Sequence, residues 1–332
     1  MILVTGGTGF LGAHLLIELC MDDAESIRAL RRPASDTEMV RKLFGFYGKE
    51  KLFGRIEWRE CDLRDMDAVA EALEGVSIVY HCAAKVSFWK KDRGEMQHTN
   101  VEGTQNLIDA ALEMGVEKLC YVSSIAALGR AEMICEDTVW DGTERHSDYA
   151  RSKFDADLEV WRASAEGLET VMVRPSVIVG PWKQDSGTGS LFGQIGKGLK
   201  YYTGGANSFV DVRDVAKVMV WLTKSQVVND SFIVTAENLG YREIMGKIAK
   251  CIGKKPPQKH ATPFITDIAW RMNAFKDLFS KRKSSFTKGA ARISQNTSKY
   301  SNEKLKKAMP FSYIPIEESL ENSQRFYMFI LN

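Results

Sequence analysis

The chain has 332 residues, of which 44% are hydrophobic and 27% charged. Those values exclude a disordered chain, a collagen-like fibre and a small disulfide scaffold, and the length suits two domains or one large one. The 45 basic and 43 acidic residues leave a formal charge of +2, which gives no support for a dedicated nucleic-acid binder.

In chain order, Ile2 to Thr5 reads as a strand and Phe10 to Met21 as a helix. Ser26 to Arg31 is a second strand. Arg55 to Glu60 is a third, followed by a helix over Asp65 to Leu73. Ser77 to Cys82 is a fourth strand, with a helix from Glu95 to Met114 after it. Lys118 to Ser123 is a fifth. A helix from Ser147 to Ala165 leads to a sixth, Thr170 to Arg174. This alternation predicts an α/β fold, a doubly wound parallel sheet with helices on both faces. After Pro175 the pattern loosens. Ser186 to Gly198 is glycine-rich and reads as a mobile loop. Phe209 to Leu222 gives a strand and a helix, Ser231 to Thr235 another strand, and the remainder is mainly helical. The expected division is a nucleotide-binding domain over 1–175 and a smaller mixed substrate lobe over 176–332. A strand and helix near 209–235 return to the first sheet.

Thr5-Gly6-Gly7-Thr8-Gly9-Phe10-Leu11-Gly12 joins the first strand to the first helix. Gly6 suits a tight turn, Gly9 a close approach to pyrophosphate, and Gly12 close packing of helix on sheet. Thr8, Phe10 and Leu11 complete a turn whose helix N-terminus offers free N–H groups and a positive dipole end to phosphate. At the end of the second strand, where an acid would grip a ribose 2′-hydroxyl, stand Arg31 and Arg32. Guanidinium groups suit a 2′-phosphate, so NADP(H) is expected rather than NAD. Asp62 and Leu63, after the third strand, are placed to meet the adenine.

Tyr149 and Lys153 stand four apart on a predicted helix and therefore share a face. A cation beside a phenol lowers its pKa and equips it to exchange a proton with a carbonyl or alcohol. The same spacing recurs at Tyr47/Lys51 and Tyr300/Lys304. Only Tyr149 opens the helix between the fifth and sixth strands. Ser123 and Ser124 end the fifth strand, and Ser124 is the preferred donor to a substrate oxygen.

Cys20, Cys61, Cys82, Cys120, Cys135 and Cys251 form no zinc-like spacing, and the histidines form no H-E-x-x-H. No metal site is expected, and free thiols fit a reducing cytoplasm. The apolar run Met1 to Val4 is too short for a leader, and no run reaches membrane-spanning length. The basic residues Lys281, Arg282, Lys283, Lys288, Arg292, Lys299, Lys304, Lys306 and Lys307 read as a solvated surface. The apolar tail Phe326 to Leu331 is expected to pack on its own domain.

With these motifs in place, the sequence resembles an extended short-chain dehydrogenase/reductase. The resemblance rests on the Thr5–Gly12 turn, Asp62-Leu63, His81-Cys82-Ala83-Ala84 and Asn100 to Thr104. It rests further on Ser123-Ser124, Tyr149 to Lys153, Arg174-Pro175 and Phe209 to Ala216. It spans roughly residues 1 to 250. It implies Ser124, Tyr149 and Lys153 as a catalytic triad and Asn100 as organiser of the lysine's water relay. Cys82, Ala83, Ala84, Val122, Pro175 and Val177 would line the cofactor. His81 is expected to be a packed strand histidine. A homodimer is plausible from the family.

Two branches of that family compete. Nucleotide-sugar epimerases and dehydratases usually follow the sixth strand with an asparagine, where this chain has Val177, and place an arginine before the later aromatic-Val-x-Val run. Here Ala206-Asn207-Ser208 precedes Phe209. Lys85, Val86, Ser87, Phe88, Trp89 and Trp182 suit an apolar pocket. The expectation is therefore an NADP(H)-dependent oxidoreductase of the dihydroflavonol reductase and 3β-hydroxysteroid dehydrogenase type, acting on a small apolar carbonyl or alcohol. The alternative is a nucleotide-sugar epimerase or dehydratase with bound NAD, and a non-catalytic cofactor-sensing protein is a third reading.

Overall fold

A computed structural model describes residues 1–22, 26–142, 146–184, 187–279 and 286–331. The first six strands are β1 (Ile2–Thr5), β2 (Ile27–Arg31), β3 (Ile56–Glu60), β4 (Ile78–His81), β5 (Lys118–Val122) and β6 (Glu169–Pro175). Next come β7 (Val177–Val179), β8 (Tyr201–Thr203), β9 (Ala206–Asp211), β10 (Asp230–Val234), β11 (Glu237–Gly240) and β12 (Lys259–Ala261). Seven of these make one sheet in the order β10-β6-β5-β4-β1-β2-β3, and every pairing in it is parallel. The order reverses at β1, which sets a crevice beyond the carboxyl ends of β1 and β4, where such sheets bind ligands.

The strands are apolar on both faces because helices cover both. Val4, Ala29, Tyr80, Cys120 and Val173 face one core with the helices Phe10–Met21 and Val212–Lys224. Their alternates Leu3, Leu30, Val79, Leu119, Tyr121 and Met172 face a second core with Leu107, Ala156 and Val160. The expected Rossmann-type sheet is thus present; β10, from the second half of the chain, pairs with β6 at its edge, whereas β9 belongs to a separate sheet. The smaller lobe holds a mixed sheet, β11-β9-β7, and the pair β12-β8.

Besides the short strands β7, β8, β11 and β12, which the sequence reading lacks, three elements differ from it. Part of the expected loop Ser186 to Gly198 is the helix Gly189–Gly196, where Phe192 and Ile195 are buried three apart and outweigh the glycine content; Ser186 lies outside the described residues. The single helix expected over Glu95 to Met114 is divided into Arg93–Met96, a π-helical turn Gln97–Glu102 and Gly103–Glu113. A helix absent from that reading, Glu38–Phe46, buries Val40, Leu43 and Phe44.

The tail packs as expected along part of its length. In the helix Ile316–Leu331, Phe326 meets Phe46 and Tyr327 meets Phe192, while Met328, Phe329 and Leu331 are exposed. Of the basic cluster, Lys281, Arg282 and Lys283 lie outside the described residues. Among the described residues the six cysteines are free, and no helix is long and apolar enough to cross a membrane.

Candidate active site

The turn after β1 has the geometry its glycines imply. Gly6 sits at φ +67°, and a Cβ there would meet the Ala83 nitrogen at 2.7 Å. A Cβ on Gly12 would lie 2.2 Å from the Gly6 carbonyl oxygen, so only glycine allows this approach of helix to turn. The turn closes with Gly9 N–H donating to Gly6 O at 2.8 Å. Helix Phe10–Met21 starts at Gly9 without a side-chain cap and has no acid in its first turn. Two neighbouring helices are capped by side chains: Ser147 accepts from Ala150 N, and Asp211 from Arg213 N. An uncapped N-terminus above a glycine cradle is the donor set a dinucleotide pyrophosphate needs, so the residues present fit such a cofactor.

At the rim, the two arginines differ. Arg31 pairs with Glu60 on the neighbouring strand at 2.5 Å, while Arg32 is exposed near Asp62. Asp62 accepts from the Arg64 side chain and backbone, and that bond holds its carboxyl below the usual range. Leu63 is buried, and the helix cap in this stretch is Asp65.

The centre of the site is built by the helix Asp148–Ala165 lying against the end of β5. Ser124 lies close enough to the Tyr149 phenol to oppose the rise in its pKa, and its Oγ accepts from Ala126 N at 3.1 Å. Lys153 is buried, and its Nζ donates to Tyr121 Oη at 2.5 Å and to the Val122 carbonyl at 2.7 Å. Burial lowers the Lys153 pKa to about 8. The expectation that Lys153 lowers the Tyr149 pKa fails in this arrangement: burial pushes the phenol up, Ser124 opposes it, and Asp157 adds to the rise. The reason is positional, because the ammonium is turned to Tyr121 and Val122.

Behind the lysine, Ser123 donates to Asp157 Oδ1 at 2.6 Å, and Arg174 Nη1 donates to Asp157 Oδ2 at 2.5 Å. Burial raises the Asp157 carboxyl above its usual range, against the pull of Arg174. The two serines are therefore separated by role: Ser123 faces the interior network and Ser124 faces Tyr149.

Asn100 sits in the π-helical turn, a local form frequent at functional sites. Its side chain accepts from Lys85 N at 2.7 Å and donates to Lys85 O at 3.0 Å and to Ser152 Oγ at 2.9 Å. It thus ties the loop after β4 to the Tyr149 helix. His81 is fully buried between the Thr5 and Thr104 hydroxyls, and burial lowers its pKa to about 3. Cys82, Ala83 and Ala84 follow it beside the glycine turn, and Pro175 and Val177 lie at the end of β6 and the start of β7.

Of the expected substrate residues, Phe88 packs edge-on against Tyr149 at 6.2 Å. Trp89 is half-buried next to it, and Lys85 Nζ pairs with Glu95 at 2.5 Å. Trp182 is not with them. It stacks on Phe10 at 6.1 Å, beside the phosphate turn, and is buried there. The sequence reading missed Tyr121 and Asp157. Spacing held the signal for both: Asp157 is four residues past Lys153 on one helix face, and Tyr121 alternates with Ser123 on one strand face.

Residues 2–234 match the NAD dependent epimerase/dehydratase family. The chain is 32% identical over 265 residues to sterol demethylase protein B of Methylococcus capsulatus, covering 79% of this chain and 77% of that protein. It is 30% identical over 267 residues to a Synechocystis sp. protein whose name places it provisionally among the dihydroflavonol 4-reductases, covering 77% and 73%. The crystal structure of gox2253 superposes with a TM-score of 0.81 at 28% identity over 99% of this chain and 98% of that one.

Proposed function

The chain belongs to the NAD dependent epimerase/dehydratase family, and we propose that within it the protein is an NADP(H)-dependent oxidoreductase acting on a small, largely apolar carbonyl or secondary alcohol. The observation that supports this reading best is the grouping of the Tyr149 phenol with the nearby Ser124 hydroxyl and the Phe88 ring edge-on at its side. The bound cofactor supplies hydride exchange at the nicotinamide. Tyr149 Oη gives a proton to the carbonyl oxygen in reduction and takes it back in oxidation. Ser124 Oγ donates to the same oxygen and stabilises the charge that develops there. Lys153, held by Tyr121 Oη and the Val122 carbonyl, would be the cation nearest the ribose of a bound nucleotide, and Asn100 steadies the helix turn through Ser152. Gly6, Gly9 and the free N–H groups at Phe10, Leu11 and Gly12 hold the pyrophosphate. Arg32 meets the 2′-phosphate, with Arg31 behind it on Glu60.

The apolar class is supported by Val177 in place of a hydrogen-bonding asparagine, and by Ala206, Asn207 and Ser208 before Phe209, where a diphosphate would need a cation. The sterol and dihydroflavonol names of the two relatives support it. To test it, NADPH consumption is followed with a panel of apolar ketones, and product formation with UDP-sugars. Ketone-dependent oxidation of NADPH supports the reading. Interconversion of a nucleotide sugar without net cofactor use replaces it with the epimerase alternative.

A further inference from the structure

Ser176 directly follows β6 and is only 6% exposed, yet its Oγ has no hydrogen-bond partner among the described residues. Its backbone is held, because Ser176 N–H donates to the Val234 carbonyl at 3.1 Å and so continues the ladder between β6 and β10. The next hydroxyl on the adjoining strand, that of Thr235, is joined to Ser208 instead. A buried hydroxyl without a partner costs the folded protein free energy, a cost that a ligand completing the bond removes.

The position of Ser176 narrows the ligand. Side chains alternate along a strand. Val173 and Val177 both pack on the core under the Phe10–Met21 helix, while Arg174 turns to Asp157 on the helix that carries Tyr149. Ser176 shares the face of Arg174 and lies one step nearer the carboxyl edge of the sheet. On the neighbouring strand, about 4.8 Å away, Ser123 N–H donates to the Val173 carbonyl and Ser124 follows it. Ser176 thus stands at the edge where the Ser124 and Tyr149 side chains meet.

A dinucleotide with its pyrophosphate on the turn after β1 and its 2′-phosphate beyond β2 extends its nicotinamide half the other way, over the ends of β4, β5 and β6. Hydride is exchanged at ring atom C4, next to the carbon whose oxygen meets Tyr149 and Ser124, and the carboxamide is borne by the adjacent C3. An apolar substrate brings one reacting oxygen, which Tyr149 and Ser124 take. The carboxamide is the remaining polar group, and a hydroxyl can both donate to its carbonyl and accept from its amide. We propose that Ser176 Oγ hydrogen bonds the nicotinamide carboxamide and holds the orientation of the ring beside Tyr149. This rests on the reading of the site as that of a nicotinamide-dependent oxidoreductase with an apolar substrate.

The test compares the wild type with Ser176→Ala and Ser176→Thr. Binding of NADPH and of 2′-phospho-ADP-ribose, the same nucleotide without its nicotinamide, is titrated by calorimetry, with NADH and ADP-ribose alongside. Melting of the free proteins is recorded as well. For Ser176→Ala the Kd of NADPH is expected to rise about 3- to 10-fold, with that of 2′-phospho-ADP-ribose unchanged. The free variant should melt no lower than the wild type, because it loses a hydroxyl that had no partner. Ser176→Thr, which keeps the hydroxyl, should restore NADPH binding. Unchanged NADPH binding in Ser176→Ala overturns the proposal, as does equal weakening of both nucleotides with a lower melting temperature, which makes Ser176 a structural residue. A wild type that binds none of the four nucleotides removes the dinucleotide reading itself, and the proposal with it.

Discussion

Asp157 and Arg174 join the back of the site to the sheet by a buried ion pair at 2.5 Å, with side chains only 4% and 6% exposed. Asp157 comes from the helix that carries Tyr149 and Lys153, and Arg174 from β6, so the pair fixes the helix against the strand. Removing one partner leaves a buried charge uncompensated. Asp157→Ala is expected to cost about 3–5 kcal/mol in chemical denaturation, well beyond an exposed pair. Arg151→Ala, which breaks the exposed Arg151–Asp155 pair on the same helix, is expected to cost less than about 1 kcal/mol. Equal costs would show that the buried pair does not hold the helix.

Tyr149→Phe removes the hydroxyl that exchanges the proton and keeps the ring that meets Phe88. Turnover is expected to fall by about 10²–10⁴-fold while cofactor affinity stays within a few-fold. Steady-state assays together with a binding titration check both halves. Retained turnover removes Tyr149 from the chemistry.

Gly12→Ala places a Cβ against the Gly6 carbonyl, a contact between two backbone segments that cannot move aside cheaply. A loss of about 1–3 kcal/mol and weaker nucleotide binding are expected. Gly246→Ala is the control: that glycine lies in the helix Tyr241–Cys251 with nothing within 4 Å of a Cβ, and alanine there should stabilise by about 0.5–1 kcal/mol. Thermal melts of the two variants should move in opposite directions.

Acid should unfold the protein through its buried histidines. Burial lowers His14 to about 4 and His81 to about 3, below the ordinary 6.5. The unfolded chain therefore binds protons that the folded chain refuses, and stability present above pH 6.5 is lost as pH falls through the folded values. Melting midpoints measured from pH 7.5 down to 4.5 should drop steadily, and His81→Gln should make the drop shallower. A slope unchanged by that substitution would show that His81 does not govern it.

The alternation of short β runs with helical runs made the sheet readable, because strands buried on both faces leave continuous apolar stretches that glycine and charge interrupt. The turn was readable because its glycines are dictated by backbone contacts within a few residues of each other. What escaped the sequence depends on distant partners. The helix Gly189–Gly196 forms because Phe192 finds Tyr327 near the other end of the chain. Trp182 was placed with Phe88 by residue type, but its ring is held by Phe10. The direction of the Tyr149 pKa was misjudged because i,i+4 spacing says that two side chains share a face, not where the lysine's long stem carries its charge. Arg31 looked free in the sequence because Glu60 stands on the next strand, 29 residues on.

The central claim, a reductase that reads a 2′-phosphate with Arg32, is tested most directly by titrating the purified protein with NADPH and with NADH, following intrinsic fluorescence and checking for co-purified nucleotide. The account predicts NADPH binding at least about tenfold tighter, with Arg32→Ala removing most of the difference. Tightly retained NAD, or equal or stronger binding of NADH, would contradict it.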